Sequence, residues 1–321
     1  MKNEDLDMND IEVMRVVPRD HKGNPYSDGK ERTLVYFNVR FNHHRDLCTD
    51  TSQEVADREE WAECRAVLCL PDSYSDTGAK TQLIIACHGA GATVDREKHF
   101  AGGIGGTLAC IDAGYAALDI DGSEPNGLTK GCPEHLFAMY QAYLYAVKHY
   151  NLTEKVLMHG GSMGGMTATN FACMFPSIVL AMGLYYPRMN ILSFTNAEGH
   201  FCLGTWDKLK PDADGKSVRD RTMEHFHMDG EWNGERVIGF EPYNNRSFTN
   251  QNGEKVVIPP CPIKIWHGTA DTVVDHVVSV EYIKAVRRGG CYAELRLIDG
   301  IGHKTIPAMR TELRMWFDRF C

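Results

Sequence analysis

His159-Gly160-Gly161-Ser162-Met163-Gly164-Gly165 is the stretch that decides how this sequence is read. A short apolar run, Lys155-Val156-Leu157-Met158, precedes it, and a helix-like segment from Met166 to Phe175 follows. A serine bounded by glycines, where a strand turns into a helix, is the setting a nucleophile elbow requires. A hydroxyl is a weak nucleophile until a base takes its proton and a sharp turn holds it clear of the backbone. Gly160 and Gly164 leave room for strand and helix to approach, and Gly165 lets the helix pack on the strand. The pattern predicts Ser162 as a nucleophile. The plainer reading is a glycine-rich turn that happens to carry a serine.

Working outward, Gln82 to Cys87 is a near-continuous apolar run, as expected of a strand buried on both faces of a parallel sheet. It ends in His88-Gly89-Ala90-Gly91-Ala92, a turn whose backbone N–H groups can face a developing oxyanion. Tyr115 to Ile120 reads as a strand. Pro133 to Tyr150 reads as a helix whose Leu136, Met139, Tyr140, Tyr143, Leu144 and Val147 recur at helical steps, as core residues rather than a cofactor box. Gly102 to Gly106 lacks the Lys-Ser/Thr of a phosphate loop and is discounted as one. Past the elbow, Ile178 to Tyr186 is a strand. The periodicity returns at Ile263 to Trp266, in a helix from His276 to Arg288, in a strand from Tyr292 to Ile298 and in a closing helix from Pro307 to Phe320.

The rest is less regular. Residues 1–30 are polar and expected to be loosely held. Thr33 to Phe41 and Arg65 to Leu70 read as strands, with a short acidic helix opened by a capping box at Thr51 and running to Trp61. From Pro187 to Pro259 the chain is polar and turn-rich, with aromatic patches and one helix around Ser217 to Met228. A structureless loop of that length is unusual inside a domain, so an inserted cap is expected. The expected organisation is an N-terminal extension over 1–63, a core over 64–186 and 260–321, and a cap over 187–259. His43-His44 has no partner at metal-ligand spacing, and His225 and His227 read as exposed or packed residues rather than metal ligands.

Alternating strands and helices argue for a mostly parallel sheet with helices on both faces, an α/β fold. Ligands of such sheets bind at the carboxyl ends of the strands. Ser162, the 88–92 turn, Asp271 and His303 each come just after an expected strand, so one fold brings all four to one edge. Their order is nucleophile, acid, histidine. His303 is expected to take the Ser162 proton and Asp271 to orient the imidazole. Asp271 follows its strand directly, Asp275 stands where it caps the next helix, and Asp299 is too near His303 in sequence. The N–H groups of Met163 and Ala90, with Gly91 as the alternative to Ala90, are the expected oxyanion donors.

His88-Gly89-Ala90-Gly91, Gly160 to Gly165, His267-Gly268-Thr269-Ala270-Asp271 and Gly302-His303 together resemble the α/β-hydrolase superfamily. The Ser-x-Gly-Gly elbow and His-Gly-x-x-Asp turn are similar to its prolyl-oligopeptidase-like and acyl-esterase branches. The resemblance covers roughly residues 64 to 186 and 260 to 321. It implies an α/β-hydrolase fold with an inserted cap and a serine hydrolase working through an acyl-enzyme. Residues 1–63 are too few for the large N-terminal propeller of prolyl oligopeptidases, and the cap matches no substrate-diagnostic pattern. The expectation is therefore a carboxylesterase acting on a small or medium acyl ester. An oligopeptidase-type peptidase is the alternative, with Glu124, Glu198 or Glu231 anchoring a peptide terminus. A catalytically silent binding module comes third, since nucleophile and histidine are both in place.

The 321 residues are 43% hydrophobic with a net charge of −9. That suits a globular enzyme and gives nucleic acid no basic patch. No apolar run is long enough to span a bilayer. The N-terminus has no apolar signal-peptide region, and eleven scattered cysteines suit reduced thiols, so a cytoplasmic protein is expected. No cofactor or metal is expected, and the partner is a small-molecule ester.

Overall fold

The computed structural model describes residues 11–42, 61–121, 131–204, 215–217, 220, 223, 247–249, 255–257 and 261–321. Nine strands form one sheet: β1 (Glu12–Val16), β2 (Arg32–Asn42), β3 (Trp61–Leu70), β4 (Thr81–Cys87), β5 (Ala116–Ile120), β6 (Leu152–Gly161), β7 (Val179–Tyr185), β8 (Ile263–Gly268) and β9 (Ala293–Ile298). Their order across the sheet is β1-β2-β3-β5-β4-β6-β7-β8-β9. β1, β2, β3 and β5 pair antiparallel in turn. From β5 to β9 every neighbouring pair is parallel. The chain crosses over between β4 and β5, so β4 and β6 are neighbours in the middle of the sheet.

Continuous apolar runs occupy that middle. All of β5 is buried, as are Leu83 to Cys87 of β4 and Val156 to Gly160 of β6. Helices cover both faces: α1 (Pro133–His149), α2 (Met163–Met174), α3 (His276–Arg288) and α4 (Pro307–Phe317). Proline opens α1 and α4 at the first turn, where its missing N–H costs nothing. The tyrosines of α1 belong to the core, with Tyr140 stacked on Phe175 at 4.3 Å between ring centroids. On the other face α4 buries Met309, Leu313, Trp316 and Phe317. Each such side chain contributes roughly 1.5–3 kcal/mol. Gly183 in β7 lets Leu313 lie flat on the sheet, because a Cβ there would strike it.

The polar stretch expected to be loosely held differs from that reading, since Glu12–Val16 forms the edge strand β1. Only Arg15's neighbours Met14 and Val16 turn inward, against a small core cluster, so its alternation is too weak to stand out in sequence. β3 begins at Trp61, where a helix end was expected, and runs further back than Arg65. The rest of that expected helix lies outside the described residues, as do His43-His44, His225, His227 and most of 205–246. Ten cysteines are described as free thiols, eight of them buried. No helix among the described residues is long and apolar enough to cross a membrane.

Candidate active site

The carboxyl ends of β4, β6, β8 and β9 meet at one edge of the sheet. Ser162 follows β6 directly and has φ +54° and ψ −121°, a backbone state that L-residues rarely adopt. Such a conformation costs about 1–3 kcal/mol and persists only where neighbours over-determine it. Here Ser162 N–H donates to the Tyr185 carbonyl at 3.0 Å. Its own carbonyl accepts from Gly165 and Arg188 N–H groups at 3.0 and 2.8 Å. The close approach also demands Gly164, where a Cβ would collide with the carbonyl oxygens of Cys87 and His88.

The Ser162 hydroxyl lies 3.0 Å from His303 Nε2, and His303 Nδ1 lies 2.7 Å from Asp271 Oδ2. With Nδ1–H donating to the carboxylate, Nε2 is left with a lone pair facing the hydroxyl. Asp271 is held from both oxygens. Val273 and Val274 N–H donate to Oδ1, each at 2.9 Å, and His267 Nε2 stands 3.3 Å from Oδ2. His267 Nδ1 faces the Ser279 hydroxyl at 2.8 Å, which fixes its ring. Burial pushes the Asp271 carboxyl up. The hydrogen bonds from His267, His303 and Val274 outweigh it and leave the group well below the usual carboxylate range. Asp275 is engaged elsewhere, capping α3 through Val277 N–H at 3.0 Å, and Asp299 accepts from the Thr269 hydroxyl at 3.0 Å.

Beside the serine, Gly89 to Ala92 is a tight turn closed by Ala92 N–H on the Gly89 carbonyl at 3.1 Å, with Gly91 at φ +81°. That geometry needs glycine at its third position and leaves the N–H groups of Ala90 and Gly91 outside the closing bond. A Cβ on Gly89 would stand 3.5 Å from Ser162 Cβ, so the turn abuts the serine. Met163 N–H is the first of helix α2, where no intrahelical acceptor exists. Expected donors and nucleophile are thus gathered at one place.

Three further side chains stand here: the sequence did not single out Tyr186 and Arg188, and read His88 only as part of its turn. Tyr186, at φ +35°, lays its ring 4.4 Å from that of His303 and hydrogen-bonds the Thr305 hydroxyl at 2.7 Å. Arg188 is buried, and its guanidinium donates to the Leu203 and Val273 carbonyls at 2.9 and 3.0 Å. Burial lowers its pKa to about 10, against the pull of Asp271. His88, at the root of the 88–92 turn, is buried with Nδ1 3.1 and 3.2 Å from the two Asp119 oxygens. Asp119 also accepts from the N–H groups of Gly103 and Ile120. The glycine run 102–106 belongs here too: Cβ atoms at Gly102 and Gly106 would strike Asp119 and His159. It packs against the root of the turn, a role the sequence reading, which only discounted the run as a phosphate loop, did not assign. Of the expected peptide anchors, Glu198 pairs with Lys284 at 3.6 Å, and Glu124 and Glu231 lie outside the described residues.

No family model and no curated protein matches the chain. Solved structures do. A Bacteroides ovatus protein assigned as a dipeptidyl aminopeptidase IV superposes with a TM-score of 0.58 at 15% identity, over 92% of this chain and 36% of its own. A puromycin hydrolase gives 0.56 at 12%, over 95% and 43%. An S-formylglutathione hydrolase from Agrobacterium tumefaciens gives 0.54 at 12%, over 90% and 94%. The chain spans about two fifths of the length of the first two. Sheet order, crossover and these likenesses define the α/β-hydrolase fold.

Proposed function

We propose that this protein is a serine hydrolase that cleaves small or medium carboxylic esters through an acyl-enzyme. The observation that carries the reading is the hydrogen-bonded chain from Ser162 through His303 to Asp271. Ser162 Oγ attacks the ester carbonyl carbon while His303 Nε2 takes its proton. The tetrahedral oxyanion is held by Met163 N–H and Ala90 N–H, with Gly91 as the alternative to Ala90. The carbon–oxygen bond to the alcohol then breaks, and His303 returns the proton to the departing oxygen. Water, deprotonated by the same imidazole, attacks the acyl-serine. The acid leaves and Ser162 is restored. Asp271 holds the ring in the required tautomer and stabilises its charged form throughout.

A second reading, an oligopeptidase-type peptidase on short peptides, draws on the two peptidase-like relatives. Ester and amide cleavage share every group named above. A peptidase also needs an anchor for a charged terminus, and the described candidate, Glu198, is engaged by Lys284. The test compares wild type with Ser162→Ala on p-nitrophenyl acetate, butyrate and octanoate and on aminoacyl and prolyl p-nitroanilides. Ester turnover that falls by about 10⁵-fold in the variant, without anilide cleavage, is the expected result. Ser162-dependent anilide cleavage puts the peptidase first. Equal rates for both proteins on every substrate overturn the reading.

A further inference from the structure

Against the acid turn, a short antiparallel hairpin pairs Phe194–Thr195 with Phe201–Cys202. Strands this short have little stability of their own in water. Its connecting turn ties itself, with His200 N–H on Asn196 Oδ1 at 2.8 Å and Asn196 N–H on the His200 carbonyl at 3.0 Å. His200 is therefore held in place, and its Nε2 reaches Asp275 Oδ2 at 2.6 Å. Cys202, two residues on, turns the same way and is fully buried. His200, Cys202 and Asp275 each offer one ligand atom, and the three atoms lie within 4.8 Å of one another.

We propose that His200, Cys202 and Asp275 form a zinc-binding site, with three protein donors and one open position, that fastens this hairpin to the amino end of α3. The donor set is one imidazole nitrogen, one sulfur and one carboxylate oxygen, which suits a borderline ion such as Zn²⁺ rather than Mg²⁺ or Ca²⁺. Around a tetrahedral zinc, donors 2.0–2.3 Å from the ion stand roughly 3.3–3.7 Å apart. The His200–Asp275 hydrogen bond opens by under about 1 Å to reach that spacing. Asp275 has one oxygen to give, because Oδ1 already caps α3 through Val277 N–H. The helix end carries only about half a positive charge, which a thiolate and a carboxylate together outweigh. On binding, the Cys202 proton passes to solvent and the imidazole enters neutral. The His200 side chain is 47% exposed, so an ion has a path in, and a water completes the fourth position.

The site lies outside the reaction but next to its support. Leu203, directly after Cys202, and Val273, between Asp271 and Asp275, are the two residues whose carbonyls Arg188 clasps. The ion and the guanidinium thus pin the same hairpin to the same turn from two sides.

Metal-free full-length protein titrated with Co²⁺, a spectroscopic stand-in for zinc, tests this. We expect one equivalent to bind with a thiolate-to-cobalt charge-transfer band, zinc to displace it, and zinc to raise Tm. Cys202→Ser removes the band, and His200→Ala, at an exposed position, weakens binding tenfold or more. Ser162→Ala binds as wild type does, so failure of the hydrolase reading leaves this result standing. If Cys202→Ser does not fold, His200→Ala decides alone. Absence of saturable binding, or affinity unchanged in His200→Ala, overturns the proposal.

Discussion

Two histidine–aspartate pairs stand at the same edge of the sheet, one on each side of Ser162, and their surroundings differ. His303 and Asp271 follow β9 and β8. Their carboxylate is fully buried, but the imidazole side chain is 20% exposed and turns Nε2 to the serine. His88 directly follows β4 and Asp119 lies on β5, and both side chains are almost completely buried. His88 Nε2 finds no partner among the described residues. A base must hand its proton to substrate and take it back, so it has to keep one nitrogen at the open face. A histidine with that nitrogen sealed in can only hold things together. Residue type and pairing are the same in both; in the proposed hydrolase, what the second nitrogen faces separates the proton carrier from a tie.

The largest effects should fall on the open pair. His303→Ala is expected to lower ester kcat/KM by about 10⁵-fold or more while leaving Tm within a few degrees of wild type. Asp271→Asn should follow at about 10⁴-fold, because an amide favours the wrong imidazole tautomer. Steady-state kinetics on a p-nitrophenyl ester, with thermal unfolding of the same samples, read both. Near-normal turnover in His303→Ala would break the comparison, since the sealed histidine would then be the better candidate base.

The open pair was legible in the sequence and the sealed pair was not, for physical reasons. Ser162, Asp271 and His303 sit in turns after apolar runs, where a polar residue beside glycine stands out. Asp119 lies inside the apolar run Ala116–Ile120, where strand periodicity predicts core and says nothing of a buried charge. His88 was read for the backbone of its turn and not for its ring. Tyr186 and Arg188 were hidden in the same way, since their contacts cross from β7 to loops distant in sequence. The central strands and α3 fell where their periodicity put them, because burial on both faces leaves a continuous signal. The edge strand β1 has one half-buried side and left almost none.

A moderate effect is expected on the closed side. His88→Gln removes the partner of Asp119 and leaves a buried carboxylate with only backbone donors. Loss of one member of a buried pair costs on the order of 3 kcal/mol, to be read from urea unfolding. In our reading His88 is a positioning residue for the 88–92 turn. The variant should lose kcat by about tenfold or more with little change in KM, since the turn faces the oxyanion and not the bound ester. Equal loss of stability with kcat untouched would leave His88 a packing residue and nothing more.

The smallest effect, and the one that separates the pairs most cleanly, is the pH dependence of stability. Burial works against a charged His88, but the charge of Asp119 and its hydrogen bond outweigh it, and the folded pKa lies above the ordinary 6.5. Such a histidine binds its proton more tightly in the native state. Its contribution is therefore complete below about pH 6.5 and is lost as pH rises through the folded value. Asp121 also acts on His88. Burial, opposed by His88 and Arg65, pushes its carboxyl up to about 6, so it titrates just below this window. The ring of His135 packs 6.1 Å from that of His88. Urea unfolding of wild type and His88→Gln at steps from pH 6.5 to 9.5 should show the gap between them shrinking as pH rises. A constant gap would mean a neutral His88 tied to Asp119 by an ordinary hydrogen bond. The pair across the serine fails in the opposite direction. The depressed carboxyl of Asp271 gives stability that is present above its ordinary 3.8 and is lost only as pH falls through the folded value. The gap between wild type and Asp271→Asn should therefore stay level over the window in which the His88 gap closes.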